Sequence, residues 1–168
     1  MVAVLAGCAA GPWASPTPSA VTQDAEFVLA ISTPKHEWAS NEAIEVQATL
    51  SITLTRPEAS SVIWGSGGGI IAFEVVELTG TRRMDAVRDA SCVRYSVSPS
   101  TPIEAPYAKS GTIDPGDPNE AFYRDFFNDP LFHLPAGRWR ITAWASLTVG
   151  ECGGRPVDMR ASLEITVR

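Results

Sequence analysis

Ser66-Gly67-Gly68-Gly69 is the run in this chain best suited to hold an anion, because successive glycines let backbone N–H groups approach a negative group closely. No Lys-Ser or Lys-Thr pair follows and the next segment reads as a strand, so neither a phosphate loop nor a helix N-terminus is available. Position 64 is Trp, so Gly-x-Ser-x-Gly is missed as well, and the stretch from Gly65 to Gly69 is expected to be a loop or bulge between strands. Asp114, Asp117 and Glu120 are hard oxygen donors of the kind Ca²⁺ takes, but their spacing is not that of an EF-hand and Pro115 and Pro118 stiffen the segment. A solvated turn is expected there. His36 and His133 lie in different segments and no Cys-x-x-Cys occurs, so no metal site is expected. Acyl transfer needs a nucleophile with a positioned His and carboxylate, and only sequence-distant pairs such as Ser66 with His133 remain. The chain is therefore read as a non-enzyme with no catalytic residues and no cofactor. Trp64, Arg138, Arg140 and Trp144 form the expected binding surface, since an exposed indole beside guanidinium groups stacks on a sugar ring or a partner's side chain. The alternative is that an Arg stem simply covers Trp144, or that a bulge turns it inward.

Strands must position these groups. From Ile44 to Leu54 every even position is apolar and the intervening residues are polar, the pattern of a half-buried strand with one wet face. The same alternation occurs at Phe27, Leu29 and Ile31, at Leu163, Ile165 and Val167, and at Trp139, Ile141, Ala143 and Ala145. Ile70 to Leu78 is almost continuously apolar, as expected of a central strand covered on both sides or of one near a bulge. Val93, Tyr95 and Val97 give a short strand beside Cys92, and Ser110 to Ile113 gives a weaker one. The single helical pattern runs from Pro118 to Phe127, with Asp117 and Glu120 at its start and Ala121, Phe122 and Phe126 on its apolar side; one or two turns are expected. Thirteen Pro and thirteen Gly break up any longer helix. Short strands between turn residues, without helices of 10–15 residues separating them, predict an all-β antiparallel sandwich of about seven strands.

The stretch Leu134-Pro135-Ala136-Gly137-Arg138-Trp139-Arg140-Ile141-Thr142-Ala143 resembles the penultimate-strand signature of immunoglobulin-like bacterial modules, in which Pro and Gly make the turn and an inward aromatic plugs the core. With the strand from Ile44 to Leu54, it makes residues 25–168 similar to the immunoglobulin-like sandwich of intracellular proteinase-inhibitor-type domains. Leu5-Ala6-Gly7-Cys8 resembles a bacterial lipobox. That resemblance implies that residues 1–8 are the end of a signal peptide, that Cys8 carries a lipid, and that the protein is anchored to the membrane. Only Met1-Val2-Ala3-Val4 precede the box, without Lys or Arg, so the basic and apolar parts of a signal peptide are expected upstream. Residues 9–24, small, Pro-rich and nearly uncharged, are expected to be the tether.

Three cysteines leave one over if two pair. A lipidated Cys8 leaves Cys92 and Cys152 as the expected disulfide of an oxidising compartment; the alternative is two unrelated thiols. A net charge of −6, with no basic cluster longer than Arg82-Arg83, argues against a nucleic-acid partner. The expectation is thus a lipid-anchored, extracytoplasmic binding or structural module of the bacterial envelope, whose partner is an envelope protein or glycan. A proteinase-inhibitor-like domain presenting one rigid loop around Ile63 to Gly69 is the alternative.

Overall fold

The computed structural model describes residues 19–53 and 61–168. Cys8, the lipobox, residues 9–18 and Leu54 lie outside the described residues. The described residues form an all-β sandwich with one short helix. One sheet has the order β1 (Ser19–Gln23), β2 (Phe27–Ser32), β4 (Gln47–Ile52) and β9 (Ile103–Pro106). The second is built around the hairpin of β10 (Gly137–Val149) and β11 (Arg155–Val167). β3 (Glu37–Trp38) lies beside β11, while β6 (Ile71–Glu77) and β5 (Ser61–Gly65) share the other side of β10; β7 (Arg83–Met84) pairs with β6 and β8 (Val93–Val97) with β5.

Alternation explains the packing. Along β10, Trp139, Ile141, Ala143, Ala145 and Leu147 are buried, and β11 contributes Val157, Met159, Ala161, Leu163, Ile165 and Val167 to the same face. They meet Phe27, Leu29 and Ile31 of β2 and Ala48, Leu50 and Ile52 of β4 across the interior. Trp139 is fully buried, and its indole N–H donates to the Pro135 carbonyl (3.0 Å), so the one polar atom of the core plug is satisfied within its own turn. Helix α1 (Glu120–Asn128) turns Tyr123 and Phe126 inward; the Tyr123 hydroxyl accepts the Arg83 N–H (3.1 Å), fixing the helix to β7. Lys109 donates to the carbonyls of Phe126 and Asp129, which the helix's last turn leaves without partners.

Several expectations are corrected. The tether was expected to reach residue 24, yet Ser19–Gln23 is a strand, because Ala20 and Thr22 turn inward and the backbone completes its hydrogen bonds on β2. Among the described residues eleven strands form where about seven were expected, since short partners such as β3, β7 and β9 carry too few residues to show a period. The sheets are not wholly antiparallel, for β3 runs parallel to β11. Ile44 and Val46 are buried, but the strand begins only at Gln47 because the Ile44 N–H is taken by Phe132. Ser110 to Ile113 is no strand: Gly111 sits at φ +147° with the Phe127 ring against it, and the Ser110 hydroxyl accepts the Val87 N–H. β6 is the strand near a bulge, with Ser66 to Gly69 looped out before it, rather than one covered on both sides; Glu74 on its outer face meets Arg83 (3.3 Å) and Arg160 (3.7 Å). The helix runs nine residues, with Tyr123 inward and Ala121 exposed.

Trp139→Ala removes the core plug and the rest for Phe122, whose ring lies 6.4 Å away. We expect it to lower the unfolding free energy by about 3–5 kcal/mol, measured by chemical denaturation; a loss below about 1 kcal/mol contradicts this account of the core.

Candidate functional site

β5 and β6 are one strand interrupted. Between the pairs Trp64↔Thr148 and Ile71↔Ala145 the chain advances seven residues while β10 advances three, so four residues are looped out. Those four are Ser66 to Gly69, closed by the Gly69 N–H on the Ser66 carbonyl (3.1 Å). Gly69 adopts φ +117°, a conformation that side chains disfavour. A Cβ at Gly67 would lie 2.8 Å from the Ser91 hydroxyl, so a side chain there would push Ser91 away from the loop.

The loop does bind an anion, and the anion is the chain's own Asp89. The Gly67 N–H donates to Asp89 Oδ1 (3.0 Å) and to the Ser91 hydroxyl (2.6 Å), and the Gly68 N–H donates to Asp89 Oδ2 (3.1 Å). The Ser91 hydroxyl and N–H also donate to Asp89 Oδ1. The hydrogen bonds from Ser91 and from Gly67 hold the Asp89 carboxyl well below the usual carboxylate range. Arg88, next in sequence, points the other way. Its guanidinium donates to the Ile70 carbonyl (2.8 Å), just ahead of β6, and to the Ser146 carbonyl of β10 (2.6 Å), tying the segment to both. Burial pushes Arg88 down from its ordinary value, against the pull of Asp158 and other neighbours.

The disulfide Cys92–Cys152 closes the arrangement, with an S–S distance of 2.03 Å and Cα atoms 6.0 Å apart. Both cysteines are exposed, so the bridge joins the segment before β8 to the β10–β11 turn on the surface. The Trp64 indole N–H donates to Gly150 in that turn (3.3 Å), and the Thr148 hydroxyl donates to the Glu151 carbonyl (2.9 Å).

The four residues of the expected binding surface occupy one sheet face but not one spot. Trp144 lies between two guanidinium groups, Arg160 at 4.8 Å and Arg88 at 5.4 Å, and its N–H donates to Asp158 (2.8 Å). Arg138 and Arg140 instead pair with Glu164 (3.0 and 3.7 Å) further down β10. Trp64 faces Thr148 on one side and Arg94 on the other. Ser66 and His133 are not brought together: Ser66 Oγ accepts the Gly68 N–H, whereas His133 pairs with Asp129 (2.6 Å) at the helix end. The carboxylates of Asp117 and Glu120 accept the N–H groups of Asn119 and Gly116 at the start of α1. Among the described residues, no group of three or more His, Cys, Asp or Glu is placed to hold a metal. Sequence reasoning missed Asp89 and Arg88; the charged pair three residues before Cys92 was the available signal. No protein-family model matches the sequence, and no curated protein matches it.

Because Asp89 is held in its charged form, its contribution to stability is complete above the ordinary carboxylate value near pH 4 and fades as the pH falls toward its lowered folded value. The stability difference between the protein and Asp89→Asn should therefore be constant from pH 5 to about 7 and shrink below about pH 4; a difference that grows on acidification contradicts the clamp. Non-reducing mass spectrometry should recover Cys92 joined to Cys152. The Cys92→Ala/Cys152→Ala variant should lose about 4 kcal/mol of stability, the chain-entropy value for a 60-residue separation, while keeping its β circular dichroism.

Proposed function

We propose that the protein is a lipid-anchored, extracytoplasmic binding module of the bacterial envelope, which holds a protein or glycan partner and catalyses nothing. One observation carries the reading: the chain enters the sandwich at one end and the disulfide-braced loops stand at the other. Ser19 pairs with Ser32, and the chain beyond β2 runs on to His36, whose carbonyl accepts the Thr166 N–H near the end of β11. The β1–β2 turn, by contrast, carries Glu26 to Arg155 at the start of β11 (2.7 Å). A thirteen-residue strand is about 40 Å long. A lipid on Cys8 would therefore hold the Ser19 end toward the membrane and present Trp64, Trp144 and the Gly67-Gly68 tip away from it. The surface disulfide fits an oxidising compartment.

The inhibitor reading is favoured by one feature, the bracing of the exposed Gly67-Gly68 tip by Asp89 and Ser91. That tip offers a protease no side chain, however, and Ile63 beside it is fully buried. Binding through the flanking Trp64 face is the better-supported use of the same rigid end.

In cells, palmitate labelling and membrane association should both be lost in Cys8→Ala; unchanged membrane association sinks the anchor. Trp64→Ala should weaken binding of the purified chain to envelope fractions about tenfold or more, as expected of an aromatic anchor. Val21→Ser at the Ser19 end should leave that binding unchanged, and equal effects of the two substitutions contradict the assigned face.

A further inference from the structure

Among the described residues β8 is the last strand of its sheet, and its open side lies next to the candidate site. The ladder fixes which groups that side offers. The Val62 carbonyl accepts the Gly150 N–H (3.4 Å), so Val62 and Trp64 turn their backbone groups toward β10 and Ile63 turns its own toward β8. Ile63 is paired with Tyr95, and Val93, Tyr95 and Val97 therefore complete their hydrogen bonds on β5. Arg94 and Ser96, both exposed, point their N–H and C=O groups away from β5. Ser98 is next in that series and is closed by its own turn on Thr101 (3.3 and 3.1 Å), which ends the open edge at Val97.

The two faces of this edge carry different side chains. On the outer face Arg94 stands directly across from Trp64. Among the described residues every other Lys or Arg meets a carboxylate or a backbone carbonyl, and Arg94 meets neither. On the inner face Val97 is buried, whereas Val93 is 40% exposed beside Gly67. A guanidinium on a sheet edge repels basic segments, gives neutral ones nothing, and admits acidic ones. β1, an edge of the same length, carries no charge to choose a partner, and β9 carries Glu104 and ends at Pro106, which has no N–H to offer. We propose that the partner of the Trp64 face is a protein segment that adds to β8 as an extended antiparallel strand, with apolar residues opposite Val93, Tyr95 and Val97 and an Asp or Glu opposite Arg94. The proposal rests on the binding-module reading and narrows its partner from a protein or glycan to an alternating, acidic strand. The N–H and C=O groups of Arg94 and Ser96 supply the main-chain hydrogen bonds, and the ion pair at Arg94 supplies the selection.

The test uses the full chain carrying Cys8→Ser, so that lipidation plays no part, and the capped synthetic peptide Ser-Val-Thr-Val-Glu-Val-Ser. Hydrogen exchange should show the amides of Arg94 and Ser96 gaining protection when the peptide is added, while those of β1 do not change. Arg94→Glu should weaken binding of this peptide about tenfold or more, and the same peptide with Lys in place of Glu should bind Arg94→Glu about tenfold better than it binds the parent. That exchange of charges keeps the test valid if a single substitution disturbs the edge. Ser96→Pro removes an outward N–H and no bond to β5, so it should weaken the peptide while leaving the circular dichroism unchanged. No added protection at Arg94 and Ser96 with the peptide at about 1 mM overturns the proposal, as does equal binding of the Glu and Lys peptides by the parent. Envelope fractions separate the two readings. Binding lost in Trp64→Ala but unchanged in both Arg94→Glu and Ser96→Pro overturns the strand and keeps the module; peptide binding at β8, with envelope binding unmoved by Trp64→Ala, overturns the module reading.

Discussion

Thirteen consecutive residue pairs, from Gly137↔Val167 to Val149↔Arg155, join β10 to β11, and the rest of the molecule is arranged on that ladder. A side-chain period of two leaves no freedom once the register is set: a slip of one residue would send Trp139, Ile141 and Ala143 to solvent and Arg138 and Arg140 to the core. The register is therefore protected by large penalties of both kinds. On the inner face it offers a surface for β2 and β4 to cover. On the outer face it sets Arg138 and Arg140 against Glu164 and Thr142 against Ser162 (2.9 Å), contacts individually small at the surface but consistent with only one pairing.

The elements legible in the sequence are those with one wet face. β2, β4, β10 and β11 alternate because half of each is solvated, and their residues announce it. β1 is hidden by its composition: its inward residues are only Ala20 and Thr22, and its one large apolar residue, Val21, is 63% exposed, so hydropathy reads it backwards. β6 was legible as a mid-sheet strand near a bulge, whereas cover on both sides was not borne out, since its outer face is half-covered by arginine stems rather than by another layer. The candidate site was legible only in part. The capacity of Gly67 and Gly68 to bind an anion follows from local chemistry, whereas the identity of that anion does not. Asp89 lies twenty-two residues away and reaches the loop only because β8 returns alongside β5.

That self-ligation changes what the glycines mean. Two adjacent N–H groups at an exposed turn are solvated by water when nothing else meets them, and an external phosphate would order them only while bound. A carboxylate supplied in cis satisfies them permanently. The same geometry that suggests a ligand site thus acts here as a fastener, and the Ser91 hydroxyl and N–H complete the set of donors that favours the charged carboxylate.

Rigidity at this end of the sandwich consequently has a different origin from rigidity in the core. The β10–β11 turn projects past the last buried residues, Leu147 and Val157, and no apolar layer lies beneath Cys152 or Glu151, both of which are exposed. Order there comes from directional bonds: the disulfide, the Asp89 clamp, Arg88 on two backbone carbonyls, and Trp64 on Gly150. Hydrophobic burial is shared among many residues, so changing one alters the whole fold's stability. Directional bonds at a surface are separable, because each holds one loop and little else. A tip built that way can exchange Trp64, Arg94 or the glycine loop for other side chains without disturbing Trp139 and its neighbours, so the surface of this end can change while the core stays as it is.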